Sequence, residues 1–342
     1  MPNVNVLTFE QAIAMSPDRK KRKVLLGNGF SRACKDDIFS YEALYKQADF
    51  RALSPDAHSA FGALNTNDFE IVIKALRQTS LLAPVYVKDR PELVDRLRKD
   101  ADGLRAVLVD TIAKNHPARP QDIAQHRYQA CRKFLDNFKC IYTLNYDLLL
   151  YWALMQDKLP TLEFLEVEDG FRKPEANADY VTWETGNSHT QTIHYMHGAL
   201  HIFDAGAELQ KYTWCNTQIA LIDQIKAALD CNTFPLFVAE DTHQAKIDRI
   251  MHSAYLGRSK SSFEQIGNDL FVYGFAFAQS DDHILQLVGD NKVKQMFVSL
   301  YGDADSEPNK KIIQRAESIK GRRHYYKLDT RYFQAETAQA WG

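Results

Sequence analysis

The sequence predicts an α/β protein built on a six-stranded, mostly parallel, Rossmann-like sheet. Two observations predict this fold: short apolar runs recur along the chain, and each run ends in a small polar cluster. Short apolar runs are typical of strands that are buried on both faces of a parallel sheet. Because the chain has 342 residues and no linker rich in Gly, Ser or Pro, we expect residues 1–342 to form a single domain.

The first predicted strand, residues 23–26, leads into a glycine-containing turn. The residues of this turn are Gly27, Asn28, Gly29, Phe30 and Ser31. Two glycines between a strand and a helix are a weak signal, because the third glycine of the usual dinucleotide fingerprint is missing. The turn is therefore either an ordinary tight turn or a loop whose backbone approaches a pyrophosphate, with Ser31 and the next helix N-terminus as donors.

A long helical segment follows the turn, over about residues 32–138. Apolar residues recur there at helical spacing, as at Phe69, Val72, Ile73 and Leu76. A single crossover helix is enough to connect two parallel strands. Since this segment is far longer, we predict a large helical insertion between the first and second strands.

Two further strands, residues 140–142 and 192–196, each end in polar side chains. These side chains are Thr143, Asn145 and Asp147 after the first strand, with His197 and then Gly198 after the second. The segment between the strands, about residues 152–191, contains scattered Pro and Gly and is predicted to be irregular, with short pieces of order. Long irregular segments beside a sheet are more often lids or binding loops than inert connections, so we predict a lid-like segment.

The last three predicted strands span residues 235–239, 270–273 and 295–301. Two of them end in polar clusters: Glu240, Asp241, Thr242 and His243 after the first, and Gly274, Phe275, Asp281 and His283 after the second. Open parallel sheets bind ligands at the carboxyl ends of their strands. We therefore expect the polar clusters to meet at one edge of the sheet.

Composition excludes several classes of protein. Lys and Arg number 42 against 44 Asp and Glu, for a net charge of −2, so we expect neither direct nucleic-acid binding nor membrane attachment. The basic run at residues 19–23 is interpreted as a solvated loop, with a contact to phosphates or a partner as the alternative.

Five cysteines without a C-x-x-C pair argue against a disulfide framework or structural zinc and favour the reducing cytoplasm. No apolar stretch predicts a signal peptide or a membrane span.

The polar residues also have simpler interpretations. Asn145 is well placed to cap a helix that begins near Leu148, and a single histidine such as His197 is more often a core residue than a catalyst. His194, His197 and His201 are close in sequence, but positions 194 and 197 of a strand point to opposite faces, so we predict no metal site.

Taken together, the clusters indicate chemistry on a glycosidic bond. Cleavage of the nicotinamide bond of NAD needs no general acid, because the pyridine leaves as a neutral molecule. It needs an amide to position the nicotinamide or a water, a carboxylate to hold carboxamide or ribose, and a base near neutral pKa. Asn145, Asp147 and His197 are these residue types, each at a predicted strand end.

These motifs resemble the sirtuin superfamily over about residues 23–303. Residues 27–31 look like its G-A-G-x-S loop, residues 143–147 like its T-x-N-x-D motif, and His197 with Gly198 like its catalytic H-G. Residues 274–284 resemble a G-x-S-x(4)-D-x-H-I segment of prokaryotic SIR2-like proteins, and residues 68–70 are a further match to a SIR2-like subgroup.

The resemblance implies NAD as substrate. In that family pattern, His197, Asn145 and Asp147 are catalytic, while residues 27–31, Thr143, Gly198, Gly274, Phe275, Asp281 and His283 bind the cofactor. It implies an NAD hydrolase of anti-phage defence, acting as a homo-oligomer with a co-encoded activating or sensor subunit, such as an ATPase or nucleotide-sensing protein.

Two departures from the family limit this interpretation. The paired zinc-binding cysteines of sirtuin deacylases are missing, and Ala276 stands where the family has Ser. A non-catalytic subunit that senses NAD or ADP-ribose, and a deacylase or ADP-ribosyltransferase, therefore stay as alternatives to the hydrolase.

Overall fold

The computed structural model describes residues 4–156, 159–160, 162–173, 178–206, 208–231, 233–238, 243–320 and 328–342. The predicted polar cluster at residues 240–242 lies outside these residues, together with several positions of the 152–191 segment. Within the described ranges, no helix is both long enough and apolar enough to cross a bilayer.

Short strands in this chain form two separate sheets. The strands are β1 (Val6–Leu7), β2 (Arg22–Leu26), β3 (Cys140–Thr143), β4 (Phe171–Arg172), β5 (Tyr180–Trp183), β6 (Ile193–Tyr195), β7 (Gly198–Asp204), β8 (Leu209–Tyr212), β9 (Pro235–Phe237), β10 (Gly267–Tyr273), β11 (Lys292–Leu300) and β12 (Asp329–Gln334).

Helices occupy most of the remaining chain. They are α1 (Phe9–Ala14), α2 (Asn28–Phe39), α3 (Tyr41–Gln47), α4 (Pro55–Ala63), α5 (Phe69–Tyr86), α6 (Pro91–Asn115), α7 (Gln125–Leu135), α8 (Leu149–Leu154), α9 (Trp214–Thr217), α10 (Leu221–Asp230), α11 (His243–Met251), α12 (Ala254–Glu264), α13 (Asp282–Asp290) and α14 (Glu307–Lys320).

The main sheet has seven strands in the order β1-β12-β11-β10-β2-β3-β6, and all of its pairings are parallel. A parallel sheet with helices confirms the α/β class and is compatible with a Rossmann-like fold. The chain runs from β2 to β3 and β6 on one side and then crosses to β10 on the other. Such a reversal of strand order opens a crevice at the carboxyl ends of the strands.

The predicted count of six strands is wrong in two ways. Strands β1 and β12 were not predicted, because β1 has two residues and β12 contains only two apolar residues, Tyr332 and Phe333, instead of an apolar run. The predicted strand at residues 235–239 is β9, which belongs to the second sheet. A three-residue apolar run carries no information about which sheet it joins.

The second sheet has the order β4-β5-β8-β7-β9 and is antiparallel throughout. Part of the segment predicted to be irregular and lid-like, residues 152–191, forms β4 and β5 of this sheet. Gly198 begins β7 with φ +81°, and a Cβ there would lie 2.0 Å from the carbonyl oxygen of Leu236 in β9. Only glycine allows this turn and this close approach.

Six helices, α2 to α7, lie between β2 and β3. Helix α5 begins after Asp68, whose side chain accepts a hydrogen bond from the Glu70 amide as an N-cap. Its apolar stripe is buried as the helical spacing predicts, and α5 packs along α6. Complete burial of each large apolar side chain stabilises the fold by about 1.5–3 kcal/mol, so this stripe holds Glu70 in a fixed position near the main sheet.

Candidate functional site

The carboxyl ends of β10, β2, β3 and β6 meet at one edge of the main sheet. Tyr273, Leu26, Thr143 and Tyr195 are the last residues of these four strands, and they are register partners from strand to strand. Because the strands end in register, the polar clusters that follow them come together. Asn145 and His197 each lie two residues beyond the partners Thr143 and Tyr195.

Glycines 27, 29 and 274 bring two turns into backbone contact. The Gly29 amide donates to the Gly274 carbonyl at 2.8 Å. A Cβ on Gly27 would lie 2.6 Å from the Gly274 oxygen, and a Cβ on Gly29 would lie 2.5 Å from the Gly274 Cα. Gly274 itself has φ +66°. The packing of the two turns is thus sufficient to require glycine at these positions.

Asn28 and Phe30 of the predicted cofactor loop make contacts within the fold. The Asn28 amide donates to the carbonyl of Phe39 at the end of the same helix, at 3.1 Å. Phe30 is buried, its ring centroid lies 5.2 Å from that of Trp341, and its carbonyl accepts from the Trp341 indole. These two residues therefore anchor the start of α2 and the C-terminal segment.

Ser31, Asn145 and Asp147 form a buried hydrogen-bonded cluster, which we call the serine cluster. The Ser31 hydroxyl donates to an Asp147 oxygen and accepts from the Asn145 amide at 2.9 Å. The other Asp147 oxygen accepts from the Leu149 amide at 2.8 Å. Burial raises the pKa of Asp147, and its hydrogen bonds with Ser31 and Leu149 oppose that rise. The cluster therefore joins the turn after β2 to the turn after β3.

Thr143, Gly198 and Phe275 support the serine cluster and its surroundings. The Thr143 hydroxyl accepts from the Asn145 backbone amide at 3.1 Å, which fixes the turn that carries Asn145. The ring of Phe275 is buried 4.8 Å from that of Phe277, in the core beneath the sheet edge. Gly198 turns the chain away directly after His197.

His197 is buried and paired with His283, which lies on the first turn of α13. Their Nε2 atoms are 2.9 Å apart and the ring planes are inclined by 21°. Burial lowers the pKa of His197 well below its usual value, and the nearby charges of Lys246 and His283 lower it further. The His197 imidazole is consequently neutral at pH 7 in this conformation.

Lys246 is a completely buried cation beside this pair. Its ammonium lies 2.9 Å from Glu70 and 3.0 Å from Asp281. Burial alone would lower the pKa of Lys246, but the two carboxylates raise it above its usual value. Glu70 comes from helix α5, Lys246 from α11, and Asp281 from the turn before α13. The ion network therefore connects the helices between β2 and β3 with the His197 pair.

Tyr146 bridges the serine cluster and the ion network. It lies between Asn145 and Asp147 in sequence, and its hydroxyl donates to the Val238 carbonyl at 2.7 Å and to Glu70 at 3.4 Å. Its ring centroid lies 6.2 Å from that of His197. Of the predicted residues, Asn145, Asp147, Ser31, His197, Asp281 and His283 thus fall into two adjacent polar groups.

The three histidines near residue 197 do not converge. His194 hydrogen-bonds to Ser259 and Ser262 on α12, and His201 packs between the rings of Tyr151 and Tyr195. Instead, ligand atoms of His197, Asp281 and His283 lie within 4.8 Å of one another, which is a geometry that a divalent metal ion accepts. Lys246 already pairs with Asp281, so a metal ion there would face a buried ammonium.

Two residues of the network carry no functional signal in the sequence. Glu70 belongs to the family match at residues 68–70 but has no predicted role, and no local pattern marks Lys246. Lys246 is separated by 35 residues from Asp281 and by 176 from Glu70. Only folding brings these charges together.

Access to the two polar groups is restricted. Asn145, Asp147 and His197 are each less than a tenth exposed, and a cavity of about 200 Å³ reaches His283 and Met196 from the side of α11 and α12. Pockets for ligands of drug size hold about 300–1,000 Å³. Within the described part of the chain, this cavity is too small to hold a dinucleotide.

The fold and the site define an α/β protein with a parallel sheet and a buried polar centre at its carboxyl edge. Residues 24–341 match the family described as Domain of unknown function (DUF4917), and the chain belongs to that family. Comparison with curated proteins finds no match.

Proposed function

We propose that this protein hydrolyses NAD to nicotinamide and ADP-ribose as a zinc-less member of the SIR2-like group. The observation that carries the proposal is the serine cluster beside the neutral His197 imidazole, both at the carboxyl edge of a parallel sheet. Sequence order supports it as well, since the motifs at residues 27–31, 143–147, 197–198 and 274–284 follow the family order.

In the proposed reaction, water adds to the anomeric carbon as the bond to the nicotinamide nitrogen breaks. His197 takes a proton from the water or from a ribose hydroxyl. Asn145 orients the water and the nicotinamide through its amide, and Asp147 holds the carboxamide or ribose. The products are nicotinamide, ADP-ribose and one proton.

Groups around the reacting centre hold the rest of NAD in this proposal. The turn at residues 27–31 leads into α2, whose N-terminus favours the negative charge of the pyrophosphate. Gly27 is the N-cap of α2 and makes no side-chain hydrogen bond to the helix N-terminus. Segment 274–283 binds the adenosine side.

Burial of the catalytic groups supports regulation of the proposed activity. An opening that admits NAD also hydrates His197, and hydration moves its pKa back toward that of an ordinary histidine. We propose that assembly into a homo-oligomer, or contact with a co-encoded sensor subunit such as an ATPase or nucleotide-sensing protein, produces this opening. In this role the protein depletes cytoplasmic NAD as the toxic effector of anti-phage defence.

A direct assay tests the proposal. The purified protein is incubated with NAD, alone and together with the proteins encoded beside it, and products are separated by chromatography. We expect nicotinamide and ADP-ribose in equal amounts, with a higher rate in the presence of the activating partner. Intact NAD under every condition, with binding of NAD or ADP-ribose by calorimetry, would assign the protein to the second candidate.

That second candidate is a non-catalytic subunit that senses NAD or ADP-ribose. Two contacts favour this candidate: the glycine turns pack closely against each other, and His197 pairs with His283. Each contact occupies groups that the hydrolase would need for NAD binding or catalysis. It predicts tight binding without turnover.

A further inference from the structure

The amino-terminal edge of the main sheet, opposite the candidate site, contains a basic cavity of about 590 Å³. It lies between α12 and the first residues of β10 and β11, beside β2. Four of its lining residues are cations, namely Lys23, Arg258, Lys292 and Lys294, and none of its described lining residues is a carboxylate. The volume is that of a small-molecule pocket.

The secondary structure of β11 and α12 places these cations around the cavity. Lys292 and Lys294 are two residues apart on β11, so their side chains leave the same face of the strand. Val293 between them is buried on the other face, while both lysines are exposed. On α12, Arg258 and Ser262 are four residues apart and share one face of the helix.

The backbone opens the cavity at β10. Asn268 adopts φ +67°, and the register between β10 and β11 shifts between Asn268 and Asp269. A bulge of this kind bends the strand, and here it leaves Lys294 of β11 without a register partner. A Cβ on Gly267, next to it, would lie 3.3 Å from the Cβ and the carbonyl oxygen of Lys292, so a larger residue there would require β11 to shift by a few tenths of an ångström.

The basic run at residues 19–23 is largely used by the fold itself. Arg19 pairs with Asp136 at 2.9 Å, Lys21 with Asp18 at 3.4 Å, and the Arg22 guanidinium donates to the Ser16 carbonyl at 2.6 Å. Lys23 is the member that lines the cavity.

Lys23 is held in place there by backbone groups. Its ammonium donates to the carbonyls of Lys21 and Gly267, at 3.0 and 3.2 Å. Such contacts orient the ammonium without neutralising its charge. Lys292 and Lys294 enter no ion pair among those formed by the described residues. Like charges gathered in one concave surface repel each other, and an anion relieves that repulsion.

We propose that this cavity binds a small molecule that carries two or more phosphate groups, such as a nucleoside polyphosphate. Ammonium and guanidinium groups are the usual partners of phosphate oxygens. The amide side chains of Gln265 and Asn268 line the same cavity and supply hydrogen bonds for a base or sugar. The proposal does not depend on NAD cleavage, because it concerns the opposite edge of the sheet.

Calorimetry on the full-length protein tests the proposal, with pyrophosphate and ATP as probes. The double variant Lys292→Ala/Lys294→Ala separates this cavity from the candidate NAD site, because both substitutions lie at the opposite edge of the sheet. We expect one site per chain whose affinity falls in the double variant, with a Kd that rises with salt. Lys292→Ala and Lys294→Ala should each weaken binding about tenfold, the scale of one charge-assisted hydrogen bond.

Two control variants distinguish the effect of lost charge on binding from the effect of a disturbed structure. Lys292→Arg/Lys294→Arg keeps both charges and should keep most of the binding, and Lys99→Ala/Lys133→Ala removes two exposed lysines elsewhere and should change nothing. The rate of NAD cleavage without added phosphate compounds should be equal in all variants.

Three outcomes overturn the proposal. The first is no binding of either probe to the wild type, and the second is equal binding by the wild type and the double alanine variant. The third is tighter binding of a single-stranded oligonucleotide than of ATP, with affinity that rises with strand length, which would make the cavity part of a nucleic-acid surface.

Discussion

The Nε2 atoms of His197 and His283 lie 2.9 Å apart, close enough for one imidazole to donate a hydrogen bond to the other. That contact requires at least one ring to be neutral, because two imidazolium groups at this distance repel. Burial and the charge of Lys246 keep His197 the neutral ring. The pair therefore keeps this hydrogen bond only while at most one of the two rings is protonated.

Loss of Asn145 or His197 should abolish most of the proposed reaction. Asn145→Ala and His197→Ala each remove a positioned catalytic group, and such losses reduce rates about 100-fold or more. Nicotinamide release measures the effect, and circular dichroism checks the fold. Asn5→Ala and His126→Ala, at the surface, serve as controls. A folded His197→Ala protein with near wild-type turnover would contradict the assigned role.

Lys246 should control both stability and the pH profile. Lys246→Met leaves two carboxylates without their cation, which costs about 3–5 kcal/mol in comparable buried pairs. Adding Glu70→Gln should recover part of the lost free energy of unfolding, as measured by urea unfolding.

Since Lys246 lowers the pKa of His197, the acid limb of the pH–rate profile should move to higher pH in the double variant. Lys46→Met, which breaks an exposed pair with Glu42 on α3, is the control and should cost less than about 1 kcal/mol. An unchanged acid limb would disprove the coupling.

Stability should fall as the pH drops below about 6.5, the ordinary pKa of histidine. Burial lowers the pKa of His116 to about 4, that of His194 to about 3, and those of His197 and His201 well below their usual value. In this window the unfolded chain binds more protons than the folded one, so each histidine contributes stability that is lost on acidification.

His201 offers the cleanest test of this effect. Both of its ring nitrogens are buried without a hydrogen-bond partner among the described residues, and such groups are destabilising. His201→Phe should therefore raise the melting temperature at pH 7 and make stability less sensitive to acid between pH 6.5 and 5. Lower stability than wild type at both pH values would show that the imidazole makes a favourable contact.

Asp68 should act in the opposite direction and lower stability as the pH rises. Burial, and then the charge of Glu70, raise the pKa of Asp68 to about 7. Between about pH 4 and 7 the folded state therefore binds more protons than the unfolded state, and this group lowers stability as the pH rises. Asp68→Asn keeps an N-cap acceptor and should gain stability relative to wild type as the pH increases from 5 to 8. Asp95→Asn, on the surface, should track the wild type. A constant difference across this range would refute the shifted pKa.

Chelators should leave NAD cleavage and melting temperature unchanged. His197, Asp281 and His283 are close enough to hold a metal ion, but the Asp281 carboxylate already balances the charge of Lys246. Activity is measured before and after dialysis against EDTA, and metal content by elemental analysis. Stoichiometric zinc that is lost together with activity would reassign the three residues as a metal centre.

Local patterns were enough to predict five of the seven strands of the main sheet. The strands β2, β3, β6, β10 and β11 are apolar runs, and the stripe on α5 has helical spacing, so each carries its own signal. In the antiparallel sheet only β9 was predicted as a strand, whereas β4, β5 and β8 are short and half-polar. The assignment of β9 to that sheet depends on its contact with Gly198, which is distant in sequence.

The sequence by itself determined the α/β class and the order of the polar clusters at the strand ends. It also determined that Asn145, Asp147 and Ser31 follow strands whose carboxyl ends converge. Only the tertiary structure decided that the Ser31 hydroxyl joins the other two, that His197 pairs with His283, and that Lys246 lies buried between Glu70 and Asp281. The reason is physical. Strand and helix signals come from neighbouring residues, whereas hydrogen bonds and buried ion pairs depend on the packing of segments far apart in the chain.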